Sequence, residues 1–365
     1  MKTGIKWPQS LANQPGNANR KSRNFAKQVS AYGLQSLAAA GQYYHPKGVS
    51  TPGFRSDRFF TSNSGYRLLK RALELVHLPP LMACTSGRPE ISVGLIDGPV
   101  LLTHPELSSQ NIREVAGKLK GSCARSNSVA CRHGTFVAGM LLAKRGSAAP
   151  AICQASTLLV RPIFSETVSG DGHMPSATPQ ELASAIVETI EAGARILNLS
   201  AALTQQSARG EGELQSALDY AAQRAVIVVA AAGNEGVVGS SVITRHPWVI
   251  PIASCDLEGR PLSQSNLGSS IGRGGALAPG ANITSFGTEG DPFTFSGTSV
   301  AAPFATGAIA LLWSEFPVAP AAELLLAVRG TRRPSRVGIV PPLLDAWSAY
   351  QVMLAKGYTV ETKEP

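Results

Sequence analysis

From position 195 to 236 the chain reads RILNLSAALTQQSARGEGELQSALDYAAQRAVIVVAAAGNEG, and this stretch decides the fold. Its two ends, residues 195–200 and 226–231, are short, nearly continuous apolar runs of strand type. Between them residues 212–224 read as a helix. A strand apolar on successive residues hides both faces, which parallel strands sandwiched by helices do and half-exposed antiparallel strands do not. The unit is strand, helix, strand in a parallel sheet.

Working outward, the alternation continues. Residues 180–192 form an inward-facing helix (Leu182, Ala185, Ile186, Ile190) before the first strand, and 157–160 and 91–96 read as earlier strands. Downstream, 248–253 and 283–286 are strands, separated by a Gly-rich stretch, 266–279, read as loop. The apolar run 300–313 is a buried helix entered through an early Pro303, a residue suited to a helix's first turn. Helical spacing over 68–76 ends at Pro79-Pro80, and 321–328 and 343–353 are closing helices. The fold class expected is α/β, a doubly wound parallel sheet with helices on both faces.

With 36 Gly, 44% hydrophobic residues and only 6% aromatics, the composition fits an α/β enzyme better than a helical bundle. The formal charge of +9 is local: residues 1–65 carry nine Lys/Arg against Asp57, leaving 24 bases against 23 acids in the rest. A near-neutral body argues against a nucleic-acid groove. The basic segment 1–65, with a short helical run at 29–40, is either a mobile tail or a pro-segment or recognition arm. A folded body spans 66–355, and 356–365 is a C-terminal tail. No run of about 18 uninterrupted apolar residues marks a membrane span, and the first residues lack the apolar core of a secretory signal. The five cysteines are odd in number and form no C-x-x-C pair, which argues against a disulfide framework and for a reducing, cytoplasmic compartment. His173 and Asp171 have no partner at ligand spacing, and no metal or cofactor is expected.

Four residues at element ends carry the chemistry. Asp97 follows strand 91–96, His133 opens an apolar helix, Asn234 follows strand 226–231, and Ser299 opens the buried helix after Gly297. Taken singly, an Asp after a strand caps a turn, a His at a helix start is structural, and a Ser after Gly is more often an N-cap. Together they supply a nucleophile, a base, an acid that orients the base, and a carboxamide donor for the oxyanion. Their order, Asp, His, Ser, differs from that of α/β-hydrolases, and Ala301 stands where the nucleophile elbow has its second Gly.

These motifs resemble those of the subtilisin-like serine proteases. Ile96-Asp97-Gly98 is similar to the family's acid motif and His133-Gly134-Thr135-Phe136-Val137-Ala138-Gly139 to its histidine motif. Ala231-Ala232-Gly233-Asn234-Glu235-Gly236 is similar to the oxyanion segment, and Gly297-Thr298-Ser299-Val300-Ala301-Ala302-Pro303 to the nucleophile motif. The resemblance implies hydrolysis of a peptide or protein substrate through an acyl-enzyme on Ser299, with Ser200, Ala201, Ala202, Ala231, Ala232 and Gly233 along the substrate. An intact set of four argues against the alternative, a silent peptide-binding scaffold.

Departures from the family pattern carry expectations of their own. Ala202 and Leu203 replace two glycines that line the pocket before the cut, which implies narrow specificity. The loop 143–147, Ala-Lys-Arg-Gly-Ser, replaces a calcium loop and holds no carboxylate. Leu95-Ile96-Asp97-Gly98-Pro99-Val100 with His104-Pro105, and Val160-Arg161-Pro162-Ile163-Phe164-Ser165, look like the maturation proteases of cyanobactin-type pathways, which trim ribosomal precursor peptides. Cys131, two residues before His133, is expected to make the site sensitive to bulky thiol reagents.

Overall fold

A computed structural model describes residues 5–6, 64–107, 111–166, 176–200, 202–203, 210–289, 292–330 and 338–359. Apart from Ser64, these belong to one unit, Met1–Ser10 with Gly65–Pro365. The helical run expected at 29–40 and the loop residues Asp171 and His173 lie outside the described residues.

In chain order the elements are β1 (Ile5–Lys6), α1 (Ser64–Leu75), α2 (Leu78–Cys84), β2 (Ser92–Asp97), β3 (Ile112–Glu114), α3 (Val129–Leu142), β4 (Thr157–Pro162), β5 (Ser176–Ala177), α4 (Pro179–Glu191), β6 (Ile196–Leu199), β7 (Ala202–Leu203), α5 (Glu211–Gln223), β8 (Ile227–Ala231), α6 (Val242–Arg245) and β9 (Val249–Cys255). They continue with α7 (Ser269–Gly274), β10 (Ala276–Pro279), β11 (Ile283–Phe286), β12 (Pro292–Phe295), α8 (Thr298–Glu315), α9 (Ala321–Gly330) and α10 (Ala346–Ala355).

Seven strands form the main sheet in the order β10-β9-β8-β6-β2-β4-β3, and every pairing in it is parallel. The strand order reverses direction at β2 and β6, the place where ligands gather in open α/β sheets. Alternate residues of one strand serve opposite faces. Ile227 and Val229 of β8 join the cluster of α3 and α8, whereas Val228 and Ala230 join that of α4 and α5. This two-sided burial explains the continuous apolar strands and confirms the doubly wound sheet.

The helix ends follow capping chemistry. Thr178 and Glu181 form a reciprocal capping box at the start of α4. Ser128 caps α3 by accepting the Cys131 N–H at 3.0 Å. All eighteen residues of α8 are buried, and α8 packs against β6, β8, β9 and β10.

Four expectations are corrected here. Pro79 and Pro80 do not end a helix; they occupy the first turn of α2, where a missing N–H costs nothing. Pro303 sits in the second turn of α8, since the helix begins at Thr298. The Ser299 carbonyl therefore receives no ladder bond from residue 303. His133 does not open its helix but lies in the second turn of α3. The Gly-rich 266–279 is not all loop, because it contains α7 and the sheet-edge strand β10.

Candidate active site

Asp97 closes β2 with its side chain fully buried. A buried carboxylate is costly unless hydrogen-bonded, and here the Gly98 N–H donates to Oδ1 at 2.6 Å. The His133 ring faces it, with Nδ1 at 2.9 and 3.0 Å from Oδ1 and Oδ2. The carboxylate holds the proton on Nδ1, so Nε2 is left as the acceptor. Nε2 lies 2.9 Å from Ser299 Oγ. Three side chains from distant parts of the sequence thus form one continuous hydrogen-bonded line.

Local backbone makes this approach possible. A Cβ on Gly134 would lie 2.4 Å from the Pro99 carbonyl oxygen, and one on Gly98 2.0 Å from that of Ala130. Helix α3 therefore rides directly on the end of β2, setting the His133 ring over Asp97. Phe295 meets the His133 ring edge-on at 5.4 Å, and Phe136 in turn meets Phe295 at 5.0 Å. Phe136 is accordingly a packing residue behind the aromatic wall of the imidazole.

Ser299 is the second residue of α8, where backbone N–H groups lack helical acceptors and the dipole is positive. Gly297 before it has φ +138°, and a Cβ there would fall 2.8 Å from Asn234 Nδ2. Asn234 Oδ1 accepts the Thr298 N–H at 2.9 Å. Its Nδ2 is buried and makes no hydrogen bond among the described residues, a state that costs about 1–3 kcal/mol for a neutral donor.

Two residues that sequence reasoning misses hold this loop. Thr298 Oγ1 accepts the Gly233 N–H at 3.1 Å. Asn266 Oδ1 accepts the N–H groups of Glu235 and Val237 at 3.1 and 3.2 Å, and its Nδ2 donates to Glu235 Oε2 at 2.6 Å. The only sequence signal for Thr298 is its place beside Ser299; Asn266 gives none, being 32 residues beyond Asn234.

The expected substrate-side residues divide. Ala231 ends β8, and Ala232 and Gly233 lead to Asn234, all three buried. Ser200 is buried with its hydroxyl accepting from Asn198 Nδ2 at 2.9 Å, and Asn198 Oδ1 accepts from Thr306 at 2.8 Å. Ala202 lies in β7, while Ala201 is outside the described residues.

The cysteines depart from expectation. Cys123 and Cys131 form a disulfide, which removes the cysteine count as an argument for a reducing compartment. Cys131 is also buried, so it offers no free thiol beside the site. Glu166 stands next to this bond, accepting the N–H groups of Ala124 and Arg125, each at 2.8 Å, and the Ser128 hydroxyl at 3.3 Å. The sulfurs and carboxylate that lie together here are thus engaged with each other and with the backbone, not arranged as free metal ligands.

Comparison with known proteins extends this geometry. Among solved structures, a mutant of the protease domain of PatA superposes with a TM-score of 0.67 at 30% identity, covering 74% of this chain and 97% of that one. The prenylagaramide maturation protease PagA superposes with a TM-score of 0.64 at 25% identity, covering 75% and 98%. A thermophilic serine proteinase of Bacillus sp. (strain AK1) is 30% identical over 233 residues, 63% of this chain and 54% of that protein. The chain thus spans about half the length of that curated relative. No helix among the described residues is long and apolar enough to cross a membrane. The model of the subtilase family of S8 peptidases matches residues 88–332, so that the sheet, the ordered motifs and the sequence agree: this chain belongs to the subtilase family.

Proposed function

We propose that this chain is a serine endopeptidase that cuts a restricted set of peptides through an acyl-enzyme on Ser299. The observation that carries it is the line Asp97–His133–Ser299, with both joints at hydrogen-bond distance. Ser299 Oγ attacks the scissile carbonyl as its proton passes to His133 Nε2. Asp97 stabilises the imidazolium, which then gives the proton to the leaving amine; water releases the acyl group by the same route. Asn234 Nδ2, buried with no acceptor among the described residues, donates to the oxyanion together with backbone N–H at the start of α8. Ser200, Ala201 and Ala202 and the Ala231-Ala232-Gly233 segment flank the substrate.

Narrow specificity is supported by Ala202 and Leu203 in place of glycines. Trimming of a ribosomal precursor peptide is supported by the likeness to PatA and PagA. The working body is the peptidase domain spanning 66–355. A fluorophosphonate probe tests the core of the reading. One adduct is expected on Ser299, absent in His133→Ala; a folded chain that takes no adduct would instead be a peptide-binding scaffold.

A further inference from the structure

We propose that the Cys123–Cys131 bond is a redox switch on His133: closed, it holds the start of α3 against the chain that leaves Asp97, and opened by a dithiol it releases the imidazole from that position. The inference rests on the reading of Ser299 as a nucleophile served by His133 and adds a condition for its reactivity. The two ends of the bond belong to the two parts that must meet. The Cys123 N–H donates to the Val100 carbonyl at 3.1 Å, and the Val100 N–H to the Gly121 carbonyl at 2.8 Å. The loop at 121–123 is thus bonded to the chain just beyond Asp97. Cys131 is the third residue of α3 and stands two before His133. The disulfide between them therefore joins the Asp97 side of the pair to the His133 side.

Other ties in this loop run through Glu166. Ser128 Oγ accepts the Cys131 N–H at 3.0 Å and donates to Glu166 Oε1 at 3.3 Å, while the same carboxylate accepts the N–H groups of Ala124 and Arg125. The carboxylate and both sulfurs lie within 4.8 Å of one another. A neutral disulfide tolerates that neighbour. Free thiols ionise in part, and a thiolate is repelled by the carboxylate beside it. Opening the bond therefore works against the Glu166 contacts and, through Ser128, against the first turn of α3. A shift of about 1 Å in a reacting group is enough to slow a reaction roughly 10²-fold.

Cys123 is partly exposed and Cys131 is buried, so a reagent thiolate attacks the Cys123 sulfur. The S–S bond breaks, and Cys131 leaves as a thiolate, favoured at the positive end of α3, before it takes a proton. The second thiol of the reagent then displaces Cys123 and closes the reagent into its own disulfide, so that two electrons and two protons pass to the chain. A small disulfide reverses the exchange. All five cysteines lie among the described residues and the other three are free thiols, which leaves a reductant one target.

The test follows the rate at which a fluorophosphonate labels Ser299 in the full chain, first oxidised, then treated with dithiothreitol, then reoxidised with glutathione disulfide. Iodoacetamide with mass spectrometry counts the thiols in each state, and far-UV circular dichroism follows the fold. Labelling is expected to slow about 10-fold or more on reduction and to recover on reoxidation, with the circular dichroism unchanged. Cys123→Ser with Cys131→Ser is expected to label at the slow rate with or without the dithiol. Equal rates before and after the two new thiols appear overturn the proposal, and so does a bond that dithiothreitol leaves closed in the folded chain. A loss that accompanies unfolding, or that reoxidation does not restore, also overturns it, since the bond then only staples the fold. Absence of labelling in every state removes the nucleophile and this inference together, whereas equal labelling in all of them removes this inference alone.

Discussion

Asn234 divides its amide between two tasks: Oδ1 accepts the Thr298 N–H at 2.9 Å, and Nδ2 is buried without an acceptor among the described residues. Asn234→Ala removes both. The lost donor is expected to slow kcat about 10²- to 10³-fold, the range known for loss of the oxyanion carboxamide in a subtilisin, a member of this same family, with KM little changed. The lost acceptor strands the Thr298 N–H, so the urea midpoint should fall by the equivalent of about 1–3 kcal/mol. Steady-state kinetics and denaturation of the same variant read the two separately; an unaltered kcat would dismiss the carboxamide from catalysis. At this scale the sequence is most legible where chemistry coincides with an element's end, as at Asp97 and Ser299. Thr298 and Asn266 are hidden because their partners, Gly233 and Glu235, lie 65 and 31 residues away, and no local pattern encodes a bond across the fold. The Cys123–Cys131 bond is hidden likewise, since a spacing of eight suggests no pairing until the α3 N-terminus is folded beside it.

Helices and strands are legible in the sequence where their apolar period is strong, as in α4, α5 and β8. They are obscured where glycine or proline dominates. β10 escapes notice because Ala276 to Pro279 sits among glycines, and its standing as a strand comes from pairing with β9. The loop after α3 shows an element held by unusual means. Lys144 Nζ donates to the Pro105 carbonyl at 2.8 Å. Arg145 donates to the carbonyls of Met82 and Thr85 at the end of α2, at 2.5 and 2.8 Å. Arg145 thus completes carbonyls that the end of α2 leaves unpaired. Arg145→Met should therefore destabilise the fold by about 1–2 kcal/mol, discounted for exposure. Added calcium should not restore it, as melting with and without the ion will show; full rescue by calcium would mean that the loop binds metal after all.

For the whole molecule, one buried imidazole links stability to pH. His104 is only 6% exposed, stacks on Phe286 at 4.2 Å and accepts the Glu106 N–H at Nδ1. Burial pushes its pKa below the ordinary histidine range, against a weaker upward pull from the Glu106 charge. The folded state thus binds the proton less readily than the unfolded state, whose histidine titrates near about 6.5. Its stabilising contribution is complete above that value and is lost as pH falls from there through the folded pKa. Urea midpoints at pH 8 and pH 5.5 should differ less in His104→Asn than in the parent; an identical difference would exclude this residue as a source of acid sensitivity. Architecture at this scale is the most legible of all, because burying both faces of a sheet leaves its mark on the central strands β2, β4, β6, β8 and β9. The enclosure of α8 on all sides has a further meaning for the chain as it is made. On the proposed reading, a half-folded polypeptide possesses no attacking hydroxyl, since Ser299 meets His133 only when the sheet and the surrounding helices have closed around it. On that reading, cleavage is thereby withheld until that closure, which spares neighbouring chains.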